Sequence, residues 1–266
     1  MKKVVPILVL AFNRHDMTRR CIQSIKTHTE YPHAILLIDN GSEPGFSKKD
    51  ADHLIRLEEN LYYTKGINAG IRFALTHYPD ADHICLLNND VQVQAHWLAG
   101  LVNACSPPIG VVGNKQLLKG NPQEIIHAGT VDLLQGVHKG GIDTGQYEKQ
   151  SQEVWVTFAC VLLSRRCLEY TGLLDERMKH FYSDNDFCLR AQMAGFDVVY
   201  TPDSTVIHQH HASYKDANVD FTPDQEIYLR KWLGEDLKNK IFYRIFFDVD
   251  QKSIIDFQSK IVTTKT

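Results

Sequence analysis

Residues 86–91, with the sequence LLNNDV, mark the abrupt end of a short apolar run that begins at Ile84. An apolar run of this length, bounded by turn-forming residues, predicts a buried strand. In an open α/β sheet, ligands bind beyond the carboxyl ends of the strands. A carboxylate and two amides at such a place can hold a hard cation, and the cation can hold phosphate groups. Taken alone, the segment is explained as well by a plain turn, because Asn and Asp are common turn residues.

The composition predicts a globular protein. Of the 266 residues, 43% are hydrophobic, which is enough for a substantial core. The formal net charge of −3 predicts no general attraction to nucleic acids or anionic membranes. The six cysteines form no Cys-x-x-Cys pair, which favours a reducing compartment over a disulfide framework or a zinc site. We expect a cytoplasmic protein, because no apolar run has the length of a signal peptide or a membrane helix.

Apolar strands alternate with amphipathic helices along the first third of the chain. We expect strands at 4–12, 33–38, 60–63 and 82–87, and helices at 17–27, 48–57 and 66–77. Asp16 is the expected N-cap of the first of these helices. The alternation predicts an α/β fold with a Rossmann-like, mostly parallel sheet flanked by helices.

The remainder of the chain is less regular. We expect helices at 95–103, 166–170 and 184–194, strands at 109–112, 153–164 and 198–200, and a brief apolar run at 206–208. From residue 224 the spacing of apolar residues is helical again, and it stays so through 241–247. We therefore expect one α/β domain over residues 1–220 and a helical C-terminal extension over 221–266 that packs on it.

Polar residues end three of the predicted strands, at Asn13, at Asp39 and at 88–90. In a parallel sheet such exits lie along one crevice, which favours a nucleotide or phosphate site there. The glycines Gly66 and Gly70 would let the backbone approach a ligand closely beside a helix N-terminus. The chain has neither a GxGxxG fingerprint nor a Gly-Lys-Ser/Thr motif, so we expect neither a dinucleotide site nor a P-loop.

A second cluster of acids lies at 183–186, at the start of a predicted helix. Capping of this helix explains one of its two aspartates, Asp184 and Asp186, well and the other less well. A carboxylate at a helix N-terminus in a cleft can also act as a general base. Three histidines follow within 208–211, but their spacing on an extended chain does not place all three on one metal.

Together these segments resemble the family 2 glycosyltransferases, in the bacterial rhamnosyltransferase-like branch with the GT-A fold. The similar segments follow the family's order between residues 4 and 213, namely 7–14, 36–42, 66–70, 86–91, 172–176, 183–190 and 207–208. No single motif is decisive, but the ordered combination is specific. The resemblance implies that residues 1–220 form a GT-A glycosyltransferase domain.

The resemblance implies a donor site and a metal site. Asp90 corresponds to the last residue of the family's DxD motif, which coordinates a divalent cation, Mn²⁺ or Mg²⁺, on the donor diphosphate. His208 corresponds to a histidine that completes the metal or diphosphate site, and Asp39 to an acid that contacts the donor base. The expected donor-binding residues are Ala11, Phe12, Arg14, Asp39, Gly66, Asn68, Asn88 and Asn89.

The resemblance also implies a catalytic base. Asp184 corresponds to the aspartate of the family's Glu-Asp pair, which deprotonates the acceptor hydroxyl. Arg190 corresponds to an arginine in the same helix, and Asp186 is a further candidate in this cluster.

Three positions depart from the family pattern. Ser183 stands where the glutamate of the Glu-Asp pair is usual, which leaves acceptor handling open. Asn88 stands in place of the first DxD acid, but Asn-x-Asp versions occur in this branch. Phe158 stands where glycine is usual, and we expect this to alter the acceptor side of the cleft.

The implied function is metal-dependent transfer of a hexosyl or deoxyhexosyl group, with inversion, from a nucleotide diphosphate to an acceptor hydroxyl. We expect a UDP- or dTDP-sugar as donor and a glycan or lipid-linked acceptor. Two alternatives stay open: a non-catalytic nucleotide-sugar-binding protein and a sugar-phosphate nucleotidyltransferase. The aromatic-rich stretch after residue 221 is expected to pack on the domain, with a second copy of the chain or the inner membrane face as the alternative contact.

Overall fold

The structure is a computed structural model that describes residues 2–130, 138–209 and 220–233. Within these ranges the strands belong to one sheet. They are β1 (Val5–Ala11), β2 (His33–Asn40), β3 (His53–Leu57), β4 (His83–Asn88), β5 (Val91–Val93), β6 (Ile109–Leu118), β7 (Asn121–His127), β8 (Gly141–Ile142), β9 (Ser151–Gln152), β10 (Cys160–Ser164) and β11 (Asp197–His208).

The helices cover the two faces of this sheet. They are α1 (His15–His28), α2 (Tyr62–His77), α3 (Trp97–Ala104), α4 (Arg165–Thr171), α5 (Ser183–Met193) and α6 (Thr222–Leu233). Apolar residues of α1 and α3 share one core cluster, and those of α2, α4, α5 and α6 share the other. The architecture is therefore three layers, helix on sheet on helix, as the alternation of elements predicts.

The sheet is parallel in its first half and mixed in its second. Its order is β3-β2-β1-β4-β10-β6-β11-β5, with β7 on β6, β8 on β7, and β9 on β11. The pairs within β3-β2-β1-β4 are parallel, as is β6 with β11. Strand β10 runs antiparallel between β4 and β6. The predicted α/β fold with a mostly parallel sheet is confirmed, and the second half adds antiparallel strands to it.

Alternating residues of the first strand serve the two core layers. Leu8 packs with the cluster that contains α2, whereas Ile7 and Val9 pack with the cluster that contains α1. All three are fully buried. A strand covered on both faces must be apolar at nearly every position, which explains the continuous hydrophobic run in the sequence.

Two predicted elements between residues 48 and 63 are wrong. The segment 48–57 was expected to be helical, but its second half is strand β3, which continues the sheet beyond β2 with Ile55 beside Ile38. The segment 60–63 was expected to be a strand, but helix α2 starts at Tyr62. A short apolar run fits the periodicity of a helix and that of a strand equally well. The free edge of β2, with which residues 53–57 pair, decides for the strand.

Three other boundaries differ from the predictions. Of the expected strand at 153–164, only the last part forms a strand of the sheet, β10, and the short strand β9 ends just before this range. The runs 198–200 and 206–208 belong to one long strand, β11, in which a register shift between Thr201 and Thr205 accommodates Pro202. Asp16 lies inside the first turn of α1 instead of capping it.

Helix α6 packs on the same core as α5. Its residues Tyr228, Leu229 and Trp232 join the cluster that contains Phe187. The helical prediction from residue 224 onward is confirmed as far as 233, whereas the predicted helix at 241–247 lies outside the described residues. Among the residues that the structure describes, no helix is both long enough and apolar enough to cross a membrane.

Candidate active site

The carboxyl ends of three neighbouring parallel strands meet at one edge of the sheet. Ala11, the last residue of β1, pairs with Asp39 of β2, and Leu10 pairs with Asn88 of β4. The polar exits of these strands therefore lie side by side, as the sequence predicted. In α/β sheets this edge is where ligands bind.

Asp90 and His208 face each other next to this edge. The Asp90 Oδ1 atom lies 3.3 Å from His208 Nε2, and both side chains are nearly buried. Strand pairing brings them together, because His208 pairs with Val91 and the Gln209 N–H donates to the Asp90 carbonyl. Gln116 Oε1 lies 3.0 Å from His208 Nδ1, which orients the imidazole. Two residues that are 118 positions apart in the sequence thus form one polar pair.

This pair fits a divalent cation. Asp90 Oδ1 is buried, and no hydrogen bond to it is found among the described residues. Two neighbouring ligands of an octahedral ion, each about 2.1 Å from it, are about 3 Å apart, which is close to the 3.3 Å between these atoms. Within the described ranges, no group of three or more His, Cys, Asp or Glu side chains could hold an ion. Phosphate oxygens and water would therefore complete the coordination, as is common for Mg²⁺.

Asp184 lies in the first turn of α5 and is only partly exposed. Burial raises the pKa of its carboxyl to about 6, although hydrogen bonds from the backbone N–H groups of Asn185 and Phe158 lower it. With the Asn185 amide oriented so that donors face acceptors, its nitrogen donates to Asp184 Oδ1 at 2.8 Å and its oxygen accepts from Trp155 Nε1 at 3.2 Å. The carboxylate is held in place and is a stronger base than an exposed aspartate.

A short chain of backbone contacts connects the Asp184 carboxylate to the end of β4. The Asn88 N–H donates to the Ala159 carbonyl at 2.8 Å. The N–H of the preceding residue, Phe158, donates to Asp184, and the Phe158 carbonyl accepts from Tyr63 Oη at 3.3 Å. The base therefore lies near the end of β4, the strand whose exit carries Asp90.

Asp39 organises the loop that follows β2. Its side chain is fully buried and accepts hydrogen bonds from the N–H groups of Ser42 and Phe46 and, at 2.6 Å, from Arg56 Nη1. Burial would raise the pKa of this carboxyl, but the bonds from Ser42, Phe46 and Arg56 outweigh it and lower the pKa. Both oxygens accept hydrogen bonds within the protein, so Asp39 shapes this loop. Its contact with the donor base stays a prediction.

The predicted nucleoside-binding residues lie on a loop that is tied to the one after β2. The Asn13 N–H donates to Ser42 Oγ, and His15 stacks on Phe46 with ring centroids 4.3 Å apart. Phe12, which precedes Asn13, is 43% exposed, whereas Ala11 is buried at the end of β1. Arg14 is exposed and has a left-handed backbone with φ of 50°. Phe12 and Arg14 are therefore accessible to a ligand at this edge.

Gly66 and Asn68 lie inside α2, not in a loop ahead of it. A Cβ atom on Gly66 would lie 2.6 Å from Leu10 Cδ1, so glycine allows the helix to pack closely on β1. Asn68 is fully buried, and its amide binds the Leu174 backbone and the Glu176 carboxylate. Both residues have packing roles in the structure, and their contacts with the donor stay predictions.

Three other predicted site residues also make structural contacts. Asn89 donates from Nδ2 to Thr18 Oγ1 at 3.0 Å, which ties the end of β4 to α1. Asp186 is fully buried and is paired with Arg190 at 2.9 Å. Arg190 also donates to the carbonyls of Thr171 and Leu173. This arginine therefore fastens α5 to the end of α4.

Two of the three departures from the family pattern are buried, whereas Asn88 is partly exposed. Ser183 is only 1% exposed and Phe158 only 2% exposed. The Phe158 ring packs against Phe187 in the core, while its backbone serves Asp184. The sequence reasoning missed two residues, Asn185 and Gln116, that orient the candidate base and the histidine. Only the position of Asn185 beside Asp184 could have indicated its role.

The protein has an α/β fold with polar side chains at the carboxyl edge of its sheet, the place where ligands bind in such folds. The family described as glycosyltransferase-like family 2 matches residues 5–220. The chain therefore belongs to that glycosyltransferase family.

Two curated relatives show where in the family the similarity is greatest. The O-antigen biosynthesis protein RfbC of Myxococcus xanthus is 31% identical across 86% of this chain, which spans only 19% of that protein. The N-acetylglucosaminyl-diphospho-decaprenol L-rhamnosyltransferase of Mycobacterium tuberculosis is 25% identical, and the similarity covers 81% of this chain and 80% of that enzyme. These relatives support the bacterial rhamnosyltransferase-like branch.

A solved structure supports the fold. The crystal structure of GalNAc-T7 with UDP, GalNAc and Mn²⁺ superposes with a TM-score of 0.65 over 97% of this chain and 54% of that one, at 16% sequence identity. The predicted GT-A fold is therefore confirmed.

Proposed function

We propose that this protein transfers a sugar from a nucleotide diphosphate to an acceptor hydroxyl with inversion at the anomeric carbon, and that the reaction depends on a divalent cation. The observation that carries the metal dependence is the buried Asp90 Oδ1, 3.3 Å from His208 Nε2 at the edge of the sheet. An oxygen and an imidazole nitrogen at this separation suit Mn²⁺ or Mg²⁺. The cation would offset the negative charge that develops on the leaving diphosphate.

Asp184 is the proposed base. Its carboxylate removes the proton from the acceptor hydroxyl as that oxygen bonds to the anomeric carbon, while the bond from that carbon to the diphosphate oxygen breaks. The pKa of about 6 leaves it ionised at neutral pH but more basic than an exposed aspartate. A single displacement from the face opposite the leaving group inverts the configuration. Asn185 and the Phe158 N–H hold the carboxylate in position.

The site also indicates how the donor is held. Phe12 and Arg14, both exposed at the end of β1, are the proposed contacts for the nucleoside and its phosphates. Asn88 and Asp90 at the end of β4 would lie against the diphosphate. Two backbone loops define this pocket, and the buried Asp39 fixes the shape of one of them.

The comparisons support a narrower proposal for the substrates. One relative is named for transferring L-rhamnose to a diphospho-decaprenol-linked N-acetylglucosamine, and GalNAc-T7 was crystallised with UDP. We therefore propose a UDP- or dTDP-linked hexose or deoxyhexose as donor and a lipid-linked saccharide or other glycan as acceptor. The family assignment favours this enzyme over a non-catalytic binding protein or a nucleotidyltransferase.

Calorimetric titration with UDP and dTDP, in MnCl₂ and in EDTA, tests the metal site without knowledge of the acceptor. Binding to the wild type is expected to weaken at least about tenfold in EDTA, and Asp90→Asn is expected to bind equally weakly in both buffers. Asp82→Asn, at an exposed ion pair with Lys3, is the matched control and should behave like the wild type. Equal nucleotide affinity in both buffers for the wild type would refute the metal dependence. Determination of the anomeric configuration of the product by NMR tests the inversion.

A further inference from the structure

Helix α6 lies beyond residues 5–220, which match the family, and it packs on the segment that leads into the base-bearing helix. Asp224 in its first turn is 5% exposed. Both carboxylate oxygens of Asp224 are used: Oδ1 accepts from the Lys179 N–H at 2.8 Å, and Oδ2 accepts from the N–H groups of His180 and Phe181 at 2.7 and 2.9 Å. Three consecutive backbone groups thus converge on one buried carboxylate.

The same segment is held from the other side by α2. The Thr64 N–H donates to the Lys179 carbonyl at 3.0 Å. The segment 179–181 is therefore fixed between two helices through its backbone, with Asp224 supplying the acceptors for three N–H groups in a row. Charge-assisted bonds of this kind are about twice as strong as bonds between neutral groups.

The residue that links this segment to α5 has an unfavourable backbone. Tyr182 has φ of 62°, a left-handed conformation that costs a non-glycine residue on the order of 1 kcal/mol unless its surroundings hold it. Two residues of α6 hold it here. Tyr228 stacks on the Tyr182 ring with centroids 5.0 Å apart, and Gln225 Nε2 donates to Tyr182 Oη at 2.9 Å.

The far end of α6 binds α5 directly. Trp232 Nε1 donates to Asp186 Oδ1 at 2.9 Å, and Lys231 Nζ lies 2.6 Å from the same oxygen. Asp186 is two residues after the proposed base Asp184. Helix α6 is therefore bound before the base, through Asp224, and just after it, through Asp186.

We propose that Asp224 is a positioning residue for Asp184: it fixes segment 179–181 and thereby the start of α5 on which the base sits. This proposal rests on the proposed function, in which Asp184 is the base. The carboxylate must point at the acceptor hydroxyl, and misplacement of a reacting group by about 1 Å can cost on the order of 100-fold in rate. Asp224 thus acts on the base from a helix that lies outside residues 5–220, the region that matches the family.

The test compares Asp224→Asn with Glu226→Gln, which makes the same carboxylate-to-amide change at an exposed position of the same helix. Three properties are measured: kcat for transfer, the dissociation constant for UDP with Mn²⁺, and the pKa of the Asp184 carboxyl from its ¹³C NMR titration. Asp224→Asn is expected to lower kcat at least about tenfold and to leave nucleotide affinity within twofold. It is expected to move the Asp184 pKa downward, because a looser segment admits water. Glu226→Gln should match the wild type in all three.

The outcomes separate this proposal from the proposed function. Unchanged kcat and an unchanged Asp184 pKa in a folded Asp224→Asn variant would overturn the positioning role while transfer by the wild type stands. If the wild type transfers no sugar from any nucleotide-sugar, the proposed function fails, and the NMR titration still decides whether Asp224 positions Asp184. Should Asp224→Asn not fold, Asp224→Glu, which keeps the charge but displaces the carboxylate from the three N–H groups, takes its place: a lower kcat with unchanged nucleotide affinity supports the proposal, whereas an unchanged kcat and Asp184 pKa overturn it.

Discussion

Replacement of Asp184 by asparagine is expected to make the protein more stable and nearly inactive. The amide keeps the shape of the side chain and an oxygen for the two hydrogen bonds that Asp184 Oδ1 accepts from Asn185. It removes the negative charge that burial disfavours and the ability to accept a proton. Transfer should fall about 10²–10⁴-fold, the range for loss of a positioned general base.

The stability change follows from the pKa of Asp184. Its carboxyl has a pKa of about 6 in the folded protein against 3.8 in the unfolded chain, and at about 1.4 kcal/mol per pKa unit the difference is about 3 kcal/mol. Because the folded-state pKa is raised, the folded chain binds more protons between pH 3.8 and 6, and wild-type stability falls as pH rises through that window. The variant lacks this dependence. Loss of an ionic acceptor offsets part of the gain, so we expect a net increase of about 1–3 kcal/mol above pH 6.

Urea unfolding of the wild type and of Asp184→Asn from pH 4 to pH 8 measures this difference. The advantage of the variant should be close to zero at pH 4 and reach its full value above pH 6. Asp203→Asn, the same change at an exposed position on β11, is the control and should be about as stable as the wild type at pH 7.5. An Asp184→Asn variant that is no more stable than the wild type at pH 7.5, or that still transfers sugar at the wild-type rate, would refute the reasoning.

Two further predictions concern the stability of the folded protein. Asp39→Ala should lower the free energy of unfolding at pH 7 by about 2–3 kcal/mol, which is less than the 3–5 kcal/mol of a fully buried ion pair because Arg56 is 39% exposed. Since folding lowers the pKa of Asp39, the loss of stability measured by urea unfolding should shrink as pH falls below 3.8. The control Asp82→Ala should cost less than about 1 kcal/mol. Gly100→Ala should destabilise by about 1–3 kcal/mol, because its Cβ would lie 2.1 Å from the Asp203 carbonyl oxygen; a higher melting temperature, as helix propensity alone would give, would contradict the close packing of α3 on β11.

The sequence predicted the buried parallel strands β1, β2 and β4 well, but it missed the edge strand β3 and much of the mixed half of the sheet. Strands such as Val5–Ala11 are buried on both faces, so a continuous apolar run identifies them. Strand β3 and the start of α2 were mispredicted because short, half-buried segments fit the periodicity of a helix and that of a strand. For β3, pairing with the free edge of β2 decides the structure. The joining of 198–200 with 206–208 into β11 depends on pairing with β6, a contact between distant parts of the chain that local pattern cannot reveal.

The resemblance anticipated that Asp90 and His208 would lie together, whereas the hydrogen bonds that engage the other predicted site residues could not be anticipated. Asp90 and His208 meet as the resemblance implies, and Asp184 carries a raised pKa at the start of α5. Asp39 and Asn68 have polar side chains that suit a ligand, but burial and their own hydrogen bonds commit them to the protein. The contribution of Asp224 could not be anticipated, because its three backbone partners lie more than 40 residues away.

The central claim is that Asp90 and His208 hold a divalent cation at the carboxyl edge of the sheet, on the same side as Asp184. A crystal grown with UDP and Mn²⁺, measured at the manganese absorption edge, tests it directly. The account predicts an anomalous peak about 2.0–2.3 Å from Asp90 Oδ1 and His208 Nε2, with the diphosphate on the ion and the Asp184 carboxylate facing the same cleft. Manganese and diphosphate bound elsewhere, or an Asp184 carboxylate turned away from them, would contradict it.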